Sequence, residues 1–178
     1  MASQVFFTDL RATGHTSLLD KIRALIEAAG LGQVVGKGKT AALKIHFGER
    51  GNTAFVRPLL VRPIVDAVKD AGGKPFLTDA GTLYVGTRGN AVDHLQTALL
   101  NGFVESVTGA PLIIADGLDG RDEVMVPIAL KCCQQAFIAS AAVHADALIS
   151  IAQFKLHEAS GFGGAGKNVG MGAAARRG

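Results

Sequence analysis

Runs of apolar residues recur along this chain with two different spacings, and the alternation between them predicts its elements. Short β-branched and aromatic runs read as strands: residues 3–10 (SQVFFTDL), 40–47 (TAALKIHF), 74–79 (KPFLTD), 110–116 (APLIIAD) and 147–154 (ALISIAQF). The last is apolar almost throughout, the pattern of a strand buried on both faces. Between them the spacing becomes helical. Leu18, Leu19, Ile22, Leu25 and Ile26 share one face of a helix that Gly30 stops. A second helix ends in IVDAVKDAGG; Pro58 opens it, and Pro63 either kinks it or marks its true start. Asn90 caps a third over AVDHLQTALLNG, and SAAVHAD reads as a short fourth. Residues 124–127 suggest a β excursion near 120–130.

Strands and helices alternating at about 30-residue spacing predict one α/β domain over residues 1–178. It would be three-layered, with a mostly parallel sheet and helices on both faces. Ligands of such sheets bind beyond the carboxyl ends of the strands. Three unusual segments fall there: HFGERGNT, TDAGTLYVGTRGN and FKLHEASGFGGAGKN. Their convergence on one edge is the main functional expectation.

Composition narrows the classes. The chain has 178 residues, a formal charge of +3, no Trp and one Tyr, and its Lys and Arg residues are dispersed. A nucleic-acid surface needs a basic stripe with aromatic platforms, so nucleic acid is not an expected partner. No run approaches the roughly 18–20 apolar residues of a membrane span. The first residues lack a basic region followed by a long apolar run, so no signal peptide is expected and the location reads as cytoplasmic. Cys132 and Cys133 are adjacent, which fits neither a disulfide framework nor a C-x-x-C metal pair; buried reduced thiols are expected.

Gly161 with Gly166-Lys167 matches most of a phosphate loop, G-x-x-x-x-G-K, but Asn168 stands where Ser or Thr should hold Mg²⁺. The element also lies after the last strand, not the first. The alternative is a His157–Lys167 site, with His157 as acid/base or metal ligand and Lys167 as anion binder or cofactor anchor. Gly163, Gly164, Gly166 and Asn168 would let a ligand approach the backbone. A plain glycine-rich turn is the duller option. His46 and Glu49, with His157, are candidate metal ligands, although a three-residue offset matches no standard zinc motif. Arg50 and Arg88, each within an RGN triplet, are candidates to clamp an anion. Asp79, at a strand end, either binds substrate or caps local backbone. Asp9 and Arg11 either reach the same edge or form a structural ion pair. His15, His94 and His144 read as surface or structural residues.

VFFTDLRAT, LKIHFGERGNTAFVRP, GGKPFLTDAGTLYVGTRGNAVDHL, IIADGLDGRD and FKLHEASGFGGAGKNVGMG together resemble domain of unknown function 362. That resemblance implies the N-terminal part of a longer architecture, often joined to a ferredoxin-like segment whose Cys residues bind iron–sulfur clusters. HEASGFGGAGK is also distantly similar to nickel-dependent lactate racemase. There a His precedes, by ten residues, a Lys that holds a nickel pincer cofactor. The similarity implies His157 for proton transfer and Lys167 for attachment. That enzyme's second catalytic His is missing, because Leu83 follows Gly81-Thr82. A shared pocket is therefore implied more than a shared reaction.

The resulting expectation is a cofactor- or metal-binding domain of a redox-associated enzyme, an oxidoreductase or racemase-like, acting on a small anionic ligand. Nickel, iron and zinc are the candidate metals, and an iron–sulfur cluster only if a further segment supplies Cys ligands. A homo-oligomer or an iron–sulfur domain is the expected partner. The contrasting expectations are a non-catalytic scaffold for an iron–sulfur electron-transfer partner and, more weakly, a nucleotide-binding variant phosphate loop.

Overall fold

A computed structural model describes residues 3–158 and 160–177. In chain order the elements are α1 (Leu18–Ala28), α2 (Leu31–Val34), β1 (Thr40–Ile45), α3 (Pro58–Asp70) and β2 (Lys74–Asp79). Then come α4 (Ala91–Leu100), α5 (Glu105–Thr108), β3 (Leu112–Ile114), β4 (Glu123–Pro127), β5 (Gln135–Ala139) and α6 (Ser140–His144). The chain continues through β6 (Ala147–Ile151), β7 (Lys155–His157), β8 (Gly161–Gly163) and α7 (Ala165–Gly172).

The central sheet is parallel, with strand order β3-β2-β1-β6. Successive residues of a strand face opposite sides. On one side Ala41, Leu43, Ile45 and Leu77 pack with Val61, Val65 and Val68 of α3, and with Ala98 and Phe103. Lys44 belongs to the other side and meets α7, where Asn168 holds it. The fold is α/β with helices on both faces. Pro58 does open α3 and Pro63 sits inside it, buried. The missing N–H is tolerated because the flanking valines anchor the helix to the sheet. Asn90 caps α4 as its side chain predicts, accepting from Asp93 N–H at 3.0 Å.

Four expectations need correction. Residues 3–10 form no strand, and Val5 and Phe7 are exposed; an apolar run becomes a strand only where a sheet edge pairs with its backbone, and no ladder among the described residues includes it. β6 is an edge strand rather than one buried on both faces, and its Leu148 is exposed. The β excursion is a full antiparallel hairpin of β4 and β5, but Cys132 and Cys133 near its tip are exposed rather than buried. The segment expected as a glycine-rich loop is a second hairpin, β7–β8, followed by helix α7. Each glycine costs a helix about 1 kcal/mol, and tertiary hydrogen bonds from Asn168 outweigh that cost here.

Candidate anion-binding cavity

β1 and β6 are neighbours whose chains leave toward opposite faces, β1 into α3 and β6 through β7–β8 into α7. Their carboxyl ends form a topological switch point, the usual place for a ligand crevice. Asn168 holds its two sides together. Its amide nitrogen donates to Lys44 O (3.0 Å), Ser150 Oγ (3.0 Å) and Ile151 O (3.2 Å), and its Oδ1 accepts from Lys44 Nζ at 2.8 Å.

A cavity of about 550 Å³ opens at this point. All three strand-end segments reach it: His46 from the first, Asp79 and Arg88 from the second, and His157, Gly163, Gly164, Lys167 and Asn168 from the third. The cations on its wall are Lys44, Arg88, Lys155, Lys167 and Arg176, and among the described residues the only carboxylate there is Asp79. Phe55, Val56, Ile151 and Met171 supply apolar surface. Among the described residues no carboxylate lies in ion-pair range of Lys155, Lys167 or Arg176.

The floor is a buried charge network. Asp79 receives Lys44 Nζ at 2.9 Å on one oxygen and Arg88 Nη1 at 3.2 Å on the other. Burial alone would raise the Asp79 carboxyl, but the Lys44 charge, with His94 and Arg88, holds it below the usual carboxylate range. Arg88 Nε also donates to Glu49 Oε1 at 2.9 Å, and Tyr84 OH donates to the same oxygen at 2.5 Å. Burial opposes ionisation of Glu49 too, and the Arg88 and Tyr84 hydrogen bonds overcome it, so its carboxyl is held low. Arg88 is thus committed to protein carboxylates rather than open to a ligand.

The other expected residues sort as follows. Arg50 lies exposed in a turn, away from the cavity, and Gly166 is exposed without lining it. The two RGN triplets are not equivalent: Asn52 accepts from Ala54 N–H in its own turn, whereas Asn90 caps α4. Asp9 pairs with Lys21 and Arg11 on the surface. His46 Nδ1 accepts from Gly48 N–H at 2.9 Å, and His157 Nδ1 accepts from Ser160 N–H at 3.3 Å. Each neutral ring therefore carries its proton on Nε2, which makes that nitrogen a donor rather than a metal ligand. Among the described residues no three His, Cys, Asp or Glu side chains are grouped to hold a metal ion, and Glu49 is already engaged by Arg88.

Two residues escaped sequence reasoning. Lys44 interrupts an apolar strand and is almost fully buried; a lone cation in TAALKIHF was the available signal. His94, expected at the surface or in a structural role, is wholly buried, with Nε2 at 3.6 Å from Asp79, too far for a hydrogen bond. Its place three residues after Ala91 and four before Ala98 puts it on the inner face of α4. Among the described residues both its ring nitrogens, Thr82 Oγ1 and Thr87 Oγ1 are buried without a hydrogen-bond partner, so unsatisfied polar atoms gather along this one loop and helix.

His46 gives the first prediction. Burial, then the positive charge of Arg88, lowers its pKa from 6.5 to about 4. The unfolded chain takes up a proton near pH 6.5 that the folded chain refuses until about 4. Stability present above that window is lost as pH falls through it, by up to about 3 kcal/mol. His46→Asn, which keeps an acceptor for Gly48 N–H, should flatten urea-unfolding free energies between those pH values. Asp116, raised by burial, contributes with the opposite sign in both proteins and cancels in the comparison. Curves of wild type and variant that run parallel over the window would refute it.

Residues 41–178 match the family model described as domain of unknown function (DUF362), and the chain belongs to that family. Among solved structures it is similar to the lactate racemase apoprotein from Thermoanaerobacterium thermosaccharolyticum, with a TM-score of 0.54 and 19% sequence identity. That likeness covers 94% of this chain but 35% of the racemase chain, so this chain spans about a third of that protein. At this identity the likeness shows a shared fold. No curated protein matches.

Proposed function

We propose that the cavity binds a small anionic ligand for a cofactor-dependent, redox-associated enzyme, with Lys167 as the anchor and His157 as the proton-transfer group. One observation carries this reading: among the described residues, five Lys or Arg side chains and a single, already neutralised carboxylate surround one cavity. Half-buried cations without carboxylate partners among the described residues, Lys155, Lys167 and Arg176, favour a ligand rich in oxyanion acceptors, and the apolar wall favours one with a nonpolar body. The similar protein is named for lactate, a small carboxylate.

The donor set bears on what else could bind. Nickel, iron or zinc finds no ready group of ligands among the described side chains, so a metal would arrive with its own organic ligand. An anionic organic cofactor suits the wall better. Lys167 lies in the first turn of α7, and Gly163 and Gly164 line the cavity with it. When bound, such a group would supply electron-accepting chemistry, while His157 holds or moves a proton through Nε2. The nucleotide alternative is weakened because the Asn168 side chain is spent on Lys44, Ser150 and Ile151 and cannot replace a Mg²⁺-binding hydroxyl.

A second reading, a scaffold for an iron–sulfur partner, draws on the exposed Phe154, Leu156 and Phe162 of the β7–β8 region. Thermal unfolding with lactate, oxalate or inorganic phosphate separates the two. The cavity reading expects a midpoint that rises with at least one anion, weakens with salt, and loses most of that rise in Lys167→Ala. No shift with any of these anions would remove the support for it and leave the scaffold.

A further inference from the structure

Cys132 and Cys133 are the only cysteines of the chain, and both are exposed. Cysteine is among the residue types most often fully buried, so packing does not explain an exposed adjacent pair. Neither lines the cavity. They sit at the end of the β4–β5 hairpin, where Ile128 N–H donates to Gln134 O at 2.9 Å and Leu130 N–H donates to Cys133 O at 3.2 Å. Lys131 and Cys132 therefore form the turn itself, outside the ladder.

The two sulfurs are not equivalent. The Cys133 thiol donates to the Gln135 carbonyl at 3.2 Å. The Cys132 thiol, one residue earlier in the exposed turn, makes no such bond among the described residues. One thiol is placed to attack and its neighbour to resolve.

We propose that Cys132–Cys133 is a thiol–disulfide exchange site for small disulfides of the glutathione class. The Cys132 thiolate attacks one sulfur of the disulfide; a mixed disulfide forms, and the expelled thiolate takes up the proton that Cys132 lost. Cys133 then gives up its proton and attacks the Cys132 sulfur. The second small thiol leaves with that proton, and a ring disulfide closes between the neighbours. Two cysteine thiols are oxidised by two electrons, and one disulfide is reduced to two thiols.

Consecutive Cα atoms lie about 3.8 Å apart, closer than the roughly 4.4–6.8 Å of ordinary disulfides. The closed ring is therefore strained, and strained, exposed disulfides are the readily reduced ones. Because the turn lies outside the ladder, closing the ring breaks no strand pairing. The pair acts as a reversible redox site, reduced at rest and oxidised when the disulfide pool rises.

The test is to expose the whole chain to oxidised glutathione, quench with acid and weigh the intact protein. Wild type should lose two hydrogens, retain no glutathionyl group, and recover fully with a dithiol reductant. Cys133→Ser should keep one glutathionyl group, and Cys132→Ser should react about tenfold more slowly. A persistent glutathionyl adduct on wild type, a disulfide-linked dimer, or equal rates for the two variants would overturn the proposal.

Discussion

Asp79→Ala should cost about 3–5 kcal/mol of folding stability, the largest effect of any single substitution near the cavity. Asp79 is almost fully buried, and so are both cations it neutralises, Lys44 and Arg88. Without the carboxylate, Arg88 keeps Glu49, but Lys44 is left with the neutral oxygen of Asn168. Against a typical total of about 5–15 kcal/mol, that loss threatens the fold. Lys44→Met should cost less, because Asp79 keeps Arg88. The double variant Lys44→Met/Asp79→Leu should regain part of the loss, since removing a buried pair is milder than orphaning one member. Urea unfolding checks this through the midpoint at constant slope. Linkage adds a sign: the folded Asp79 carboxyl is held low, so its stabilisation is present above the usual aspartate range and fades as pH falls below it. Asp79→Ala should lack that acid-side loss. A cost below about 1 kcal/mol would mean that the network is solvated and the floor of the cavity is not as described.

That network also shows what the sequence made legible. β1 and β2 begin where their apolar runs predict, and β2 ends there too, because a buried parallel strand is coded locally by β-branched and apolar residues. The placing of reactive segments on one edge followed from strand polarity alone, since parallel strands put all their carboxyl ends together. Residues 3–10 misled because pairing, not composition, decides whether an apolar run becomes a strand. α7 misled in the opposite sense: its three glycines argue for a loop, and the bonds of Asn168 to two strands, remote in sequence, hold it as a helix. Arg88 looked like an anion clamp because nothing local reveals that Glu49 and Asp79 already occupy it. Lys44 and His94 lay hidden in apolar patterns for a related reason. A pattern reports which face a residue occupies, while a buried charge takes its meaning from a partner tens of residues away.

The same crowded floor makes Gly172→Ala a sharp probe of how closely α7 approaches β1. At an open helical position, replacing Gly by Ala gains up to about 1 kcal/mol. Gly170, inside α7, has open space where a Cβ would stand, so Gly170→Ala should stabilise by up to that amount. Gly172 ends the helix, so its propensity gain is smaller, and an added Cβ would collide with Nζ and Cε of Lys44 and lie 3.3 Å from Asp79 Oδ1. A flexible lysine would swing aside, but this one is fixed at both ends of its reach, by Asp79 at 2.9 Å and by Asn168 at 2.8 Å. Moving it gives up charged hydrogen bonds worth about 1.5–3 kcal/mol each, and overpacking costs about 1–3 kcal/mol. The collision therefore wins, and Gly172→Ala should destabilise by about 1–3 kcal/mol, opposite in sign to Gly170→Ala. In a Lys44→Met background the uncharged, freely turning side chain can yield, so the penalty should shrink, a coupling that a double-mutant cycle measures directly. Equal effects of Gly172→Ala in the two backgrounds would show that α7 does not rest on the Lys44–Asp79 pair, and with it the Asn168-centred account of the switch point would fail.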